Sequence, residues 1–153
     1  MIRLRTAAPA VLALSLSLVG LPAAAPAPAA EPPRAAQSQR SLTPAEQQVD
    51  SFFSQYRGDI LRGDLQGARA VRQRYLTAHL NAVLDAWARA HDADPVFRAQ
   101  NVPTGWSLAQ GDSGAGHTRV NLTERWGDGS TTEVVYELRL ATLVIDDLQD
   151  APA

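Results

Sequence analysis

Two hydrophobic periods divide this chain. From Ala45 to Trp87 apolar side chains recur every three or four residues, whereas from Trp106 to Leu148 they alternate with polar ones. The first spacing is that of one helix face and the second that of one face of a half-buried strand. Helices are therefore predicted ahead of a sheet.

The helical half begins at Thr43-Pro44-Ala45-Glu46, a capping box with proline at the first helical position, where its missing N–H costs nothing. A helix is predicted to about Arg57, with Ala45, Val49, Phe52, Phe53 and Tyr56 on one face and Gly58 as its stop. A second runs from about Leu65 to Leu76, and its Arg69, Arg72 and Arg74 read as a solvated polar face. Thr77 caps a third from Ala78 to about Ala90, with Leu80, Val83, Leu84 and Trp87 as its apolar stripe. Asp94-Pro95 closes this half.

Beyond Pro103 a first strand is predicted over Thr104 to Gln110, followed by a flexible connector from Gly111 to Gly116. His117 to Trp126 alternates next, with Val120, Leu122 and Trp126 pointing one way. Gly127-Asp128-Gly129-Ser130 signals a hairpin with a tight primed turn. Thr132 to Leu140 forms the return strand, and Leu143 to Leu148 a last one, with Leu143 and Ile145 on one face. The expected architecture is α+β, with N-terminal helices packed on a curved antiparallel sheet in a cone-like shape that leaves a funnel-shaped cavity.

Ahead of this domain, Arg3 and Arg5, the apolar run from Ala7 to Leu21 and an Ala/Pro tail read as an export signal, with Ala27-Pro28-Ala29 as the best cleavage site. Pro22, Pro26 and Pro28 interrupt the run before it reaches the length of a membrane span. The expected organisation is a signal peptide over residues 1–29, a flexible Pro/Ala/Gln/Ser-rich leader over 30–42 and a single domain over 43–150. The mature protein is then secreted or otherwise extracytoplasmic. The chain has no cysteine, so neither disulfides nor a lipoprotein anchor are available to it.

Every basic residue is arginine, which removes lysine Schiff-base, P-loop and general-base chemistry. Loss of Arg3 and Arg5 with the signal takes the formal charge from −2 to −4. Nucleic acid, which attracts a basic stripe, is not an expected partner.

Few residues suggest chemistry. Gly111-Asp112-Ser113-Gly114 resembles the nucleophile loop of trypsin-like serine proteases, with His79 and Asp92 or Asp94 as formal triad partners, but the chain is far too short for that fold and His79 opens an amphipathic helix. His79, His91 and His117 lack metal-ligand spacing, and His91-Asp92-Ala93-Asp94 reads as a helix end. No metal and no cofactor is expected. Asp146 and Asp147 must point to opposite sides of a strand, so they form no shared-proton dyad. Asp147 follows Leu143 and Ile145 inward unless a bulge or the strand end intervenes. Tyr56, Trp87, Trp106, Trp126 and Tyr136 are aromatic candidates for a pocket. The ligand-binding candidates are Tyr56, Trp87, Tyr136 and Asp147, and no catalytic residue is assigned.

The segments Val49 to Tyr56, Tyr75-Leu76-Thr77 leading into Leu80 to Leu84, Asp94-Pro95-Val96 with Gln100-Asn101, and Leu143 to Leu148 together resemble the nuclear-transport-factor-2-like, cystatin-like superfamily. Within it they are most similar to exported proteins grouped as domain of unknown function 3828. Asn101 and Leu143 depart from that family's pattern, which has Asp and an aromatic there. The resemblance implies a cone-shaped α+β domain and no particular activity, since the superfamily holds both enzymes and pure binding modules. The expected function is non-catalytic binding of a small molecule or an extracellular protein, without nucleic acid and, after signal cleavage, without a membrane. Two alternatives stand beside it. One is an isomerase- or hydrolase-like enzyme using Asp147 and Tyr136, and the other an envelope-associated protein that forms a homodimer through its sheet.

Overall fold

The computed structural model describes residues 40–150; the expected signal segment 1–29 and residues 30–39 of the expected leader lie outside them. Helix α1 (Pro44–Arg62) starts at the capping box, where the Thr43 hydroxyl accepts from the Glu46 amide and the Glu46 carboxylate accepts from the Thr43 amide at 2.7 Å. Glu46 is buried, and the Arg40 guanidinium bonded to it holds its carboxyl below the usual range, helped by Thr43.

The helix does not stop at Gly58. It continues for one more turn, burying Asp59 and half-burying Ile60, and ends at Gly63, whose φ of +73° supplies the left-handed cap. Helix α2 (Leu65–Tyr75) is capped by Asp64, whose carboxylate accepts from the Gly67 amide at 2.8 Å. A Cβ on Gly67 would stand 2.5 Å from that carboxylate, so the cap requires glycine there. Arg72, expected on a solvated face, is instead buried. It donates to the Asn81 side chain and carbonyl and to Asp85 at 2.7 Å, tying α2 to α3 (Ala78–His91). Val83, placed in the apolar stripe by its spacing, is exposed, while Leu80 and Leu84 are buried.

The strands β1 (Gly105–Gly114), β2 (His117–Arg125), β3 (Thr131–Arg139) and β4 (Ile145–Asp150) form one antiparallel sheet in sequential order. The chain is thus an α+β domain with its helices ahead of and packed against an open four-stranded sheet. On β2, Thr118, Val120, Leu122 and Glu124 are all buried, and on β3 so are Val134, Tyr136 and Leu138. These side chains meet Val49, Phe52, Phe53 and Tyr56 of α1 in one core.

The turns depart from expectation in three places. The segment read as a flexible connector continues β1 to Gly114 after a register shift between Gln110 and Ser113, and only Ala115 and Gly116 turn. Both have positive φ (49° and 82°), as a two-residue primed turn demands. The Gly127–Ser130 hairpin is not primed. Gly129 donates back to the Trp126 carbonyl and alone has positive φ, which marks an ordinary turn closed by a glycine bulge. Leu143, expected in the last strand, occupies a turn at φ 57° and donates to the Arg139 carbonyl, so β4 starts two residues later.

Substituting Thr43 by alanine removes the side-chain acceptor at the head of α1 and is expected to lower the unfolding free energy by about 1 kcal/mol in urea denaturation. Gly63→Ala meets no crowding, yet its left-handed backbone predicts a loss of about 1 kcal/mol in the same measurement.

Candidate functional site

The alternation of β2 carries a charged residue into the core. Glu124 shares its face with Val120 and Leu122 and is 0% exposed, and neither carboxyl oxygen has a hydrogen-bond partner among the described residues. Burial, and secondarily the charge of Asp94, pushes its pKa up to about 8. It therefore carries a proton at neutral pH. Tyr136 on β3 lies 0% exposed on the same sheet face, and its hydroxyl is likewise without a partner. Burial is the main cause that raises its pKa, with Glu124, Asp94 and Tyr56 adding to it.

Asp94 is the bonded counterpart of these unbonded groups. The carboxylate accepts from the Tyr56 hydroxyl at 2.8 Å and from the amides of Val96 and Phe97 at 2.9 and 3.0 Å. The last two bonds make it the nucleus of a turn, which a bridge between Asp94 and Ala99 closes. Burial raises the Tyr56 pKa, and the Asp94 charge raises it further. An aromatic chain joins these parts. Trp106, opposite Glu124 in the ladder, meets Phe53 at 5.1 Å between ring centroids, Phe53 meets Phe97 at 5.5 Å, and Phe97 meets Tyr56 at 5.4 Å.

A groove of about 600 Å³ opens next to this cluster. One wall is the segment after the Asp94 turn, with Phe97, Arg98 and Asn101, and the other is the β2–β3 hairpin, with Trp126, Asp128 and Thr132. The Trp126 indole N–H donates to the Thr132 hydroxyl at 2.8 Å, which fixes the ring plane. Ser130 donates twice to Asp128 and holds that carboxyl below the usual range. Arg98 sits in the left-handed region at φ 54°, donates to the Leu148 carbonyl, and lies over the Trp87 ring at 4.8 Å. Its Nε is buried and has no partner among the described residues. The groove thus offers an aromatic face, a guanidinium, a carboxylate and several hydroxyl and amide groups. That mixture suits a small polar ligand with one flat side.

The four pocket candidates separate. Tyr56 and Tyr136 come together in the core, both against Phe52, at 5.9 and 6.1 Å between centroids. Trp87 lies on the outside of α3, stacked between His91 at 4.2 Å and Arg98. Asp147 sits opposite Glu137, whose carboxylate faces outward to Arg119, so it belongs to the outer face. A register shift between Glu137 and Leu138 leaves Asp146 as the extra residue and reverses the alternation. Leu148 therefore follows Ile145 inward in place of Asp147. Asp147 instead accepts from the Leu148 amide and from Gln149. Of the wider aromatic set, Trp126 lines the groove and Trp106 donates to Asp50 at 2.8 Å.

Sequence reasoning passed over Glu124, Arg98 and Trp126's hairpin partners. The sign that could have found Glu124 was its parity with Val120 and Leu122. Asp94 was read as a turn former, which it is, but its bond to Tyr56 joins residues far apart in the chain. Ser113 donates to Thr118 at 2.8 Å, not to a histidine, and His117 contacts Asp146 and the Ala115 carbonyl. Asp146, bonded chiefly to Arg139 and then to His117, is held below the usual carboxylate range. No group of three or more His, Asp or Glu side chains among the described residues is placed to hold a metal ion. None of the described helices is long and apolar enough to cross a membrane.

No known protein family matches the sequence, and neither does any curated protein. Among solved structures, the chain is similar to a protein of unknown function from Bacteroides thetaiotaomicron, with a TM-score of 0.55 and 22% identity over 69% of this chain and 88% of that one. At that identity the likeness is one of fold.

The buried carboxyl makes stability depend on pH. Its folded pKa of about 8 exceeds the ordinary 4.5, so the folded state holds its proton more tightly than the unfolded one. Its contribution is complete below pH 4.5 and is lost progressively as the pH rises to about 8. Each unit of difference is worth about 1.4 kcal/mol, so the decline across that window amounts to a few kcal/mol. Urea denaturation at a series of pH values is expected to show this slope in the wild type and its loss in Glu124→Gln. Equal slopes in the two proteins would refute the assignment.

Proposed function

We propose that this chain is an exported, non-catalytic binding domain that holds a small polar ligand in the groove between the Phe97–Thr104 segment and the β2–β3 hairpin. The observation that carries the reading is the groove itself, about 600 Å³ in volume and open to solvent. It has the size of a small-molecule site and mixes apolar with polar groups. Trp126, held by Thr132, offers a rigid aromatic surface, and the two walls carry residues of opposite charge, Arg98 on one and Asp128 on the other. Kinship with the nuclear-transport-factor-2-like, cystatin-like superfamily is part of the same proposal. Its support is the order of elements, helices first and then an antiparallel meander.

The enzymatic reading gains one specific observation, an inward carboxyl that is protonated at neutral pH. That carboxyl is Glu124 rather than Asp147, and it is sealed from solvent. A group with no access to substrate ranks the enzymatic reading second.

Two measurements test the proposal. Mass spectrometry of the protein recovered from its native host is expected to find Ala30 at the N-terminus and the protein outside the cytoplasm; an intact Met1 terminus on cytoplasmic protein would overturn export. A thermal-shift screen of sugars, amino acids and nucleosides, followed by calorimetry, is expected to find a ligand with saturable binding. That binding should weaken at least about tenfold in Trp126→Ala, as loss of an aromatic contact worth 1.4 kcal/mol or more implies. A ligand whose affinity is indifferent to Trp126→Ala and Arg98→Ala, both folded by circular dichroism, would place the site elsewhere.

A further inference from the structure

The core holds two carboxyl groups with opposite solutions to burial. Asp94 accepts three hydrogen bonds and is built to be an anion; Glu124 accepts none and is built to be neutral. We propose that the two act as a proton-controlled latch on the groove: while Glu124 is protonated the Asp94 turn stays closed, and when that proton leaves, the Asp94–Ala99 segment is released from the core.

The argument starts from what faces Glu124. Its same-face neighbour along the strand is Leu122; directly across in β3 stands Thr132, whose hydroxyl accepts from Trp126, and further along β3 lie Val134 and then Tyr136, an unpartnered neutral hydroxyl. Across the ladder stands Trp106, whose own polar contacts are Asp50 on its indole N–H and Arg57 at 5.8 Å from its ring. From α1 comes Tyr56, already donating to Asp94. From the loop after α3 come Asp94 and Arg98, the latter committed to the Leu148 carbonyl, with Asp150 3.7 Å from its guanidinium. No donor is bonded to the Glu124 carboxyl. A second negative charge there would meet the Asp94 charge in a medium that screens it poorly.

The two ends of that repulsion differ in rigidity. Glu124 lies within a nine-residue strand paired on both sides, so it cannot leave without breaking the sheet. The Asp94–Ala99 segment lies outside the sheet; it is held by one bridge, the bonds to the Asp94 carboxylate, the burial of Val96 and Phe97 and the Arg98 bond to the Leu148 carbonyl, and Arg98 within it bears an unfavourable left-handed backbone. Lifting this segment hydrates Glu124, separates the charges and relaxes Arg98 in one movement. It also withdraws Phe97 and Arg98 from the groove wall, so the state that binds is the protonated one. The pKa of about 8 puts the transition at mildly alkaline pH. The latch stands on the core geometry and does not depend on which ligand the groove takes.

The test is amide hydrogen exchange by NMR on the mature protein between about pH 6 and pH 9, corrected for base catalysis of the intrinsic rate. The Val96 and Phe97 amides, which donate to Asp94, are expected to lose about tenfold or more in protection as the pH passes 8. The Val120 and Tyr136 amides in the ladder should keep theirs. In Glu124→Gln the protection of Val96 and Phe97 should stay flat. The side-chain carboxyl carbon shift of Glu124 in the wild type gives a check that needs no variant, because its midpoint must coincide with the loss of protection. Protection that is constant in the wild type, that falls equally in Glu124→Gln, or whose midpoint differs from the Glu124 titration overturns the proposal.

Discussion

One carboxylate ties the first helix to the turn that follows the third. Asp94 takes the hydroxyl of Tyr56 from α1 and the amides of Val96 and Phe97 from its own turn. Each bond to a charged acceptor is worth roughly 1.5–3 kcal/mol when its partners are buried. Because the turn seats Phe97 edge-on against both Phe53 and Tyr56, the same carboxylate also fixes the aromatic packing that α1 presents to the sheet. The wall of the groove, Phe97 and Arg98, begins at the last of those bonds. One side chain therefore anchors both that wall and the aromatic contacts beneath it.

That dependence explains why a sealed polar cluster persists where apolar residues would pack at lower cost. An isolated buried carboxyl is tolerated only as the neutral acid, and Glu124 meets that condition through burial and the neighbouring Asp94 charge. Replacing Glu124 by leucine would suit the β2 alternation as well as Val120 and Leu122 do. A core that holds a protonated acid and an unpartnered tyrosine hydroxyl instead has given up stability at neutral pH. Retention of such groups is more economically explained by a task than by packing.

Most of the fold could be read from residue patterns, and the exceptions have physical causes. The capping signals at Thr43 and Thr77 placed two helix starts correctly, because a cap is a contact within four residues. Gly58 misled, since a glycine inside a helix costs only about 1 kcal/mol and the buried face of α1 extends past it to Ile60. The outward turn of Asp147 rests on the extra residue at Asp146, and nothing in Leu143 to Leu148 marks a bulge, which elsewhere glycine often does. Arg72 looked solvated because its partners, Asn81 and Asp85, belong to the next helix. In the candidate site, Tyr56 and Tyr136 were legible from their stripes. Asp94's partnership with Tyr56 and the sealing of Glu124 were not, since both arise from packing between elements distant in the chain.

Binding and the interior cluster are best seen as two levels of one device. The groove faces a hairpin whose geometry is fixed by local bonds, Trp126 to Thr132 and Ser130 to Asp128, and these do not involve the core carboxyls. Its opposite wall depends on the Asp94 turn, and under the proposed latch that turn follows the charge state of the core. A site with one rigid and one conditional wall can change affinity without any change in the groups that touch the ligand, because only the fraction of molecules with the wall in place is competent to bind. A conditional wall governed by a carboxyl whose pKa burial raises to about 8 would respond on the alkaline side, well above the ordinary carboxylate range.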